Sequence, residues 1–148
     1  MLHRTLTSLQ PRMADVAKKA IDAMNADKKL LNFGVCCVLI SETKRDLSTQ
    51  LLYWMRGRMM DPLDTQLAYN KTLGWKPSIE ECRKTVTWTL ESKHLIGLAI
   101  DICPSKDGKT FWWNAPADVW SRIGEIGKQS GLKWGGDWQN KDSPHFEL

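Results

Sequence analysis

No stretch of this chain is long and apolar enough to cross a bilayer. The longest apolar run is Val35–Ile40, six residues against the roughly 20 that a membrane helix needs. Residues 1–20 have no apolar h-region and meet charges early, so no export signal is expected and no stable membrane insertion. The four cysteines, Cys36, Cys37, Cys82 and Cys103, show no paired framework. Adjacent strand residues point to opposite faces, so Cys36 and Cys37 bridge poorly, and all four are expected reduced in a chain made in a cytoplasm. No dense Lys/Arg block is present, which argues against nucleic-acid binding as the main function. The net charge of +4 is uneven: residues 1–60 hold ten Lys/Arg against five Asp/Glu, and residues 61–148 eleven against twelve. The basic half reads as a solvated helix face, or as a surface that leans on an anionic polymer such as cell wall. Internal repeats and low-complexity tracts are missing too. Histidine is scarce, with three in 148 residues.

What remains is an ordinary globular composition, 42% hydrophobic and 26% charged, long enough for one domain over 1–148 with its own core. Residues 1–10 read as a loose lead-in. Pro11 opens a helix whose stripe is Met13, Val16, Ala17, Ala20, Ile21 and Met24. Val35–Ile40 is a buried strand, and a helix follows over about 46–55. The segment 59–76 reads as a long polar loop, a candidate lid. Ser78 and Glu81 form a capping box for a short helix. Residues 85–89 alternate as a strand, and Asp107-Gly108 marks a hairpin turn with a returning strand over 110–113. Asn114 caps a helix striped by Val119, Trp120, Ile123 and Ile126, which Gly131 stops. Eight tryptophans are many for this length; some suit a groove that grips an extended polymer.

The chemistry concentrates in two stretches. From Gly97 to Ile102 residues alternate small and large, with Asp101 among the small ones, so Leu98, Ile100 and Ile102 face a core and Asp101 faces away. His94 lies before this strand, across Gly97, where a turn brings its imidazole back beside Asp101. At the C-terminus His145-Phe146-Glu147-Leu148 alternates again, with Phe146 and Leu148 inward and His145 and Glu147 opposite. Two imidazoles and a carboxylate make a three-ligand zinc site with its fourth corner open, the catalytic pattern, in which a bound water has its pKa lowered towards roughly 7. Asp142, three residues before His145, is the candidate general base. Taken alone the spacing is weak, since Asp101 and His145 lie 44 positions apart; lone histidines and strand-end aspartates more often serve hydrogen bonds and caps. Cys103, on the Asp101 face, is a rival ligand. A non-haem Fe(II) centre uses the same ligand types, but its His and acid usually sit close together in an H-x-D/E unit that this chain lacks.

Ser92-x-His94-x-x-Gly97-x-Ala99-x-Asp101, followed by Asp142-x-Pro144-His145-Phe146, resembles the signature of the D-Ala-D-Ala carboxypeptidase and L-alanyl-D-glutamate peptidase family, zinc peptidases of bacterial walls and phage endolysins. Arg45, Gln50, Tyr53-Trp54 and Gly57-Arg58 resemble a second block of that family, with Tyr-Trp in place of the usual Leu-Tyr. Trp134-Gly135-Gly136-Asp137-Trp138 resembles its Gly-Gly-aromatic approach to the last histidine.

The resemblance implies an α+β fold in which a small antiparallel sheet carries the zinc site and helices pack on it, as in D-Ala-D-Ala peptidases and hedgehog-like domains. It implies Zn2+ held by His94, Asp101 and His145, Asp142 as base, Arg45 steadying the oxyanion, and Ser92 near metal or substrate. Asp-x-Pro-His, rather than the carboxypeptidase branch's Glu-x-x-His, points to cleavage between L-Ala and D-Glu of peptidoglycan. The expected enzyme is a monomeric phage endolysin without a separate wall-binding domain, held in the host cytoplasm until a holin releases it. The alternatives are a D-Ala-D-Ala carboxypeptidase or dipeptidase, and a wall-binding module that keeps zinc without hydrolysis.

Overall fold

The structure, a computed structural model, describes residues 3–148. In chain order it runs α1 (Pro11–Asn25), α2 (Lys28–Asn32), β1 (Cys37–Glu42), α3 (Leu47–Met55), α4 (Pro62–Leu73), α5 (Ile79–Cys82), β2 (Ala99–Ser105), α6 (Ala117–Gln129), β3 (Lys133–Trp134) and β4 (His145–Glu147). Short 3-10 turns stand at Leu6–Ser8, Lys93–Ile96 and Gly135–Asp137. The four strands form one antiparallel sheet in the order β1-β2-β4-β3. This is the expected α+β architecture.

The core follows from two amphipathic helices meeting one sheet face. Helix α1 buries Met13, Ala17, Ala20 and Met24, and α6 buries Val119, Trp120, Ile123 and Ile126. They pack with Ile100, Ile102 and Phe146 of the central strands. Met13, Ile100, Ile102, Ile123 and Phe146 are all but sealed from water, which contributes about 1.5–3 kcal/mol for each large side chain. That rigid half of the molecule holds β2 and β4, and these carry two of the three candidate ligands.

A polar tie at the rim of this core joins α2 to α6. Asp27 caps α2 by accepting from Leu30 N (2.9 Å), and its carboxylate meets Arg122 of α6 at 2.6 Å. The Arg122 bond depresses the Asp27 pKa despite partial burial. A depressed carboxyl stabilises the fold above its unfolded pKa and loses that contribution as the pH falls through the folded value. Asp27→Ala is therefore expected to cost about 2 kcal/mol near neutrality and to lower Tm by roughly 4–8 °C. The deficit should shrink below about pH 4, near the unfolded carboxyl's value; thermal melts across pH check both the size and the trend.

Several elements depart from expectation. Residues 3–10 of the lead-in are tied down: Leu9 is buried, Thr43 N donates to His3 O at 2.7 Å, and Gln10 N to Gly97 O at 3.0 Å. Met1 and Leu2 lie outside the described residues. The 59–76 loop is largely helix α4. Asp61 caps it by accepting from Leu63 N, Pro62 sits in its first turn, and left-handed Gly74 ends it. The apolar pattern misled because α4 buries Thr65 and Tyr69 while Leu63 and Leu67 stay exposed. Among the described residues, 85–89 pair with no strand; they run as irregular chain, held by side chains described below. The turn at Asp107-Gly108 forms, with Thr110 N donating to Asp107 Oδ1 at 2.8 Å, but residues 110–113 return as irregular chain that meets β2 through Trp112 N to Pro104 O at 2.8 Å. Pro116, not Asn114, precedes α6. The strand expected from Gly97 begins at Ala99, because Gly97 is the left-handed end of the preceding turn. The Ser78/Glu81 capping box is present in full.

Candidate metal centre

Strand register builds the site. Asp101 on β2 stands directly opposite His145 on β4. On its other side Asp101 pairs with Glu42, after a register shift between Ile40 and Glu42. Such an irregularity re-aims a strand-end side chain. Three adjacent strands thus set Glu42, Asp101 and His145 in one row. His94 arrives from the 3-10 turn Lys93–Ile96, which Ser92 caps by accepting from His94 N at 3.3 Å. Ser92 therefore positions His94, and it also lines the cavity that holds the site.

Each imidazole is oriented by its outer nitrogen. His94 Nδ1 meets the carbonyl oxygen of Thr43, and His145 Nε2 meets Glu147 Oε2 at 3.2 Å. This leaves His94 Nε2, His145 Nδ1 and Asp101 Oδ1 converging on one point. Their separations are 3.1 Å (His94–Asp101), 3.1 Å (His145–Asp101) and 3.2 Å (His94–His145). Ligands about 2.0–2.1 Å from a tetrahedral zinc stand about 3.3 Å apart, so the triangle fits the ion. Outer partners on both imidazoles are what a metal site requires to fix tautomer and ring direction. Among the described residues, His94, Asp101 and His145 form the cluster with metal-holding geometry. Cys103 is no ligand. It is sealed in the core, and burial pushes its thiol up to about 12, where the thiolate a metal needs is scarce.

The charges reflect this crowding. Burial works against the Asp101 carboxylate, but the His94 and His145 imidazoles hold it well below the usual range. Burial lowers His145, yet its bonds to Asp101 and Glu147 lift it to about 9. Asp142 lines the same cavity; loss of water around its carboxyl there, and then the Asp101 charge, raise its pKa. A raised carboxyl beside a metal-holding triad suits proton transfer.

Gly135 explains how Asp142 comes so close. Asp142 N donates to Gly135 O at 3.0 Å, and His145 N to Asp142 O at 3.1 Å. A Cβ at Gly135 would lie 2.5 Å from Asp142 O and 3.1 Å from His145 Cβ. Backbone cannot yield to that overlap without moving Asp142 and His145 together. Gly135→Ala is expected to lower kcat/KM at least about 100-fold while the protein stays folded, since an ångström of misplacement suffices for such a loss. Circular dichroism and kinetics on one preparation check it.

Arg45 lies in the cavity wall, buried, with Nη2 3.8 Å from Asp101 Oδ2. Nε and Nη2 are forked onto Glu42 (2.9 and 2.5 Å), and Nη1 donates to Gln50 Oε1 at 2.7 Å. Three of its five donors are thus committed. Gln50 passes the connection on, its Nε2 donating to Thr89 O at 2.7 Å. Arg58 donates to Thr87 O at 2.8 Å, and Gly57 packs so tightly on residues 83–85 that a Cβ would meet backbone at 2.8 Å. The block running from Arg45 to Arg58 therefore hangs the irregular segment 85–89 along the cavity. Glu42 and Thr43 were not singled out from sequence; their roles depend on strand register and on a 51-residue separation from His94. Glu147, two positions from His145 on one strand face, had a legible place but no assigned role.

The cavity measures about 1000 Å3. It is lined by the triad, Asp142, Arg45, the segment 85–89 and the tryptophans 75, 88, 113 and 138.

A family model described as D-alanyl-D-alanine carboxypeptidase matches residues 85–148. The chain is 43% identical over 67 residues to the peptidoglycan L-alanyl-D-glutamate endopeptidase CwlK of Bacillus subtilis, covering 39% of this chain and 40% of that protein. It is 39% identical over 62 residues to the L-alanyl-D-glutamate peptidase of a Listeria phage, covering 40% of this chain and 22% of the other. The matches thus span less than half the length of these curated relatives. Among solved structures, the L-Ala D-Glu endopeptidase ChiX of Serratia marcescens superposes with a TM-score of 0.58 at 20% identity, over 97% of this chain and 82% of ChiX. The vancomycin-resistance D,D-pentapeptidase VanY, solved in complex with Zn(II), gives 0.56 at 17% identity, over 100% of this chain and 78% of VanY. At these identities the likeness to ChiX and VanY is one of fold. The C-terminal part of the chain is thus similar in sequence to D-alanyl-D-alanine carboxypeptidases and L-alanyl-D-glutamate peptidases, and the chain as a whole shares the fold of ChiX and VanY.

Proposed function

We propose that this chain is a zinc-dependent peptidoglycan peptidase that hydrolyses the L-Ala–D-Glu bond of the stem peptide and serves in lysis of a bacterial host. The observation that carries it is the convergence of His94 Nε2, His145 Nδ1 and Asp101 Oδ1 to within 3.2 Å of one another, beside Asp142, in an open cavity. The choice of bond rests on the names of CwlK, the Listeria phage enzyme and ChiX.

His94, Asp101 and His145 would hold the ion. When bound, zinc supplies a Lewis acid for the scissile carbonyl and lowers the pKa of a coordinated water to roughly 7. Asp142 takes the proton of the attacking water and delivers it to the leaving amine. Arg45, with the donors that Glu42 and Gln50 leave over, steadies the developing oxyanion. Thr43 and Glu147 keep both imidazoles aimed through these events. In this reading a monomeric enzyme waits in the host cytoplasm and reaches the wall through a holin pore.

A second reading, D-Ala-D-Ala carboxypeptidase or dipeptidase, is favoured by the description of the matching family model and by VanY. Incubation with purified peptidoglycan separates the two. New D-Glu amino termini are expected; release of D-Ala instead would establish the second reading. A protein that binds wall and zinc but frees neither would be the non-hydrolytic module.

A further inference from the structure

The cavity wall contains a second cation that the hydrolytic machinery does not use. Arg56 follows α3 and is buried, with 7% of its surface exposed. Its Nε donates to Glu81 O at 2.8 Å, and its guanidinium lies over the Tyr69 ring, 5.4 Å from the centroid. Among the described residues no carboxylate pairs with it. Glu81 gives Arg56 only a backbone carbonyl; its own carboxylate is turned to Ser78 N at 2.7 Å to complete the capping box. Arg45, the other buried arginine of this wall, has its fork filled by Glu42. The contrast matters because a buried charge without a counter-ion is costly.

A second buried polar group points the same way. Tyr69 is 1% exposed, and its hydroxyl oxygen meets no partner with full hydrogen-bond geometry among the described residues; burial raises its pKa and the nearby Arg56 guanidinium works against that rise. Both Tyr69 and Arg56 line the cavity. Tyr69 stacks on Tyr53 (centroids 5.7 Å) and takes Trp75 edge-on (5.3 Å), so packing fixes the ring. Tyr53 in turn lies under Arg45, 4.6 Å from its guanidinium. Two aromatic rings therefore separate Arg56 from the arginine beside the metal ligands. A planar guanidinium with unfilled donors and a rigid hydroxyl make a fitting partner for a carboxylate.

We propose that Arg56 and the Tyr69 hydroxyl form a carboxylate-binding subsite, which anchors an acidic peptide by a carboxylate set apart from the bond to be cut. The subsite rests on the reading of this cavity as a peptide-hydrolysing site, and it makes the enzyme selective for acidic over amidated stem peptides. Such an anchor acts alike on ground and transition states, so its loss raises KM and leaves kcat nearly unchanged.

The test compares two synthetic stem peptides, one with free carboxylates and one with them amidated. Wild-type enzyme should favour the acid form. Arg56→Gln should raise KM for that form at least about 10-fold, with kcat for it and kcat/KM for the amide nearly unmoved. Tyr69→Phe keeps the ring and should raise the same KM about 3- to 10-fold. Calorimetric titration of both peptides into zinc-loaded Asp142→Asn protein reads the preference without turnover. Equal binding of acid and amide there, or an equal loss on both peptides in Arg56→Gln, overturns the subsite. Preference in the titration with no cleavage by wild-type enzyme would instead overturn the hydrolytic reading and leave the subsite standing.

Discussion

Asp142→Asn is expected to abolish hydrolysis and leave the metal in place. The substitution keeps shape and removes only the ability to take a proton. The residue is not part of the ligand triangle, whose atoms come from His94, Asp101 and His145. Its backbone bonds, to Gly135 and from His145, do not depend on the side chain, so the loop should hold its course. Loss of a positioned acid–base group reduces rate by about 10²–10⁴-fold, and a base that also returns the proton to the leaving amine belongs at the upper end. The check is hydrolysis of purified peptidoglycan alongside zinc content of the same preparation. Full activity in the variant would remove Asp142 from the chemistry. Lost activity together with lost zinc would recast it as support for the ligands.

Removal of the metal should have an effect at least as large, and a reversible one. Dialysis against a strong chelator is expected to end hydrolysis, and one equivalent of zinc per chain to restore it. The fold should survive, because the apolar core lies on α1, α6 and the inner sheet face and contains none of the three ligands. Thermal stability should rise on zinc addition, as ligand binding to the native state alone requires. The direction with pH follows from His145. With its pKa lifted to about 9, the imidazole carries a proton at neutrality that zinc must displace. Zinc uptake is thus expected to release protons and to weaken as the pH falls below about 9. Asp101→Ala should fail to recover with added zinc, since two imidazoles remain without the anion between them. Activity that persists in chelator, or in Asp101→Ala, would overturn the metal assignment.

The contrast between α1 and α4 shows what could be read in advance. In α1 the buried residues are apolar and recur at helical spacing, so both helix and inner face are legible. In α4 the punctuation was present, Asp61-Pro62 at the start and Gly74 at the end, but the buried face is Thr65 and Tyr69. A pattern search weighted on apolar residues misses a helix that turns Leu63 and Leu67 to solvent. Residues 85–89 failed in the opposite sense. Their alternation is real, but they find no neighbouring strand among the described residues, and Gln50 and Arg58 satisfy them from the side. Strand pairing is a property of what lies alongside, not of the segment.

The sequence by itself determined which side chains could serve as ligands and base and which family the C-terminal part resembles, because side-chain chemistry and the short spacings Ser92 to Asp101 and Asp142 to His145 are local. It also determined the helix stripes that build the core. Only the tertiary structure decided which nitrogen of each imidazole turns to the centre of the triad, since that choice belongs to Thr43 and Glu147. It alone decided that Glu42 occupies Arg45 while Arg56 meets no carboxylate among the described residues. Those outcomes turn on strand register and on how α3 and α5 meet, and contacts between residues distant in the chain are fixed by the packing of the whole.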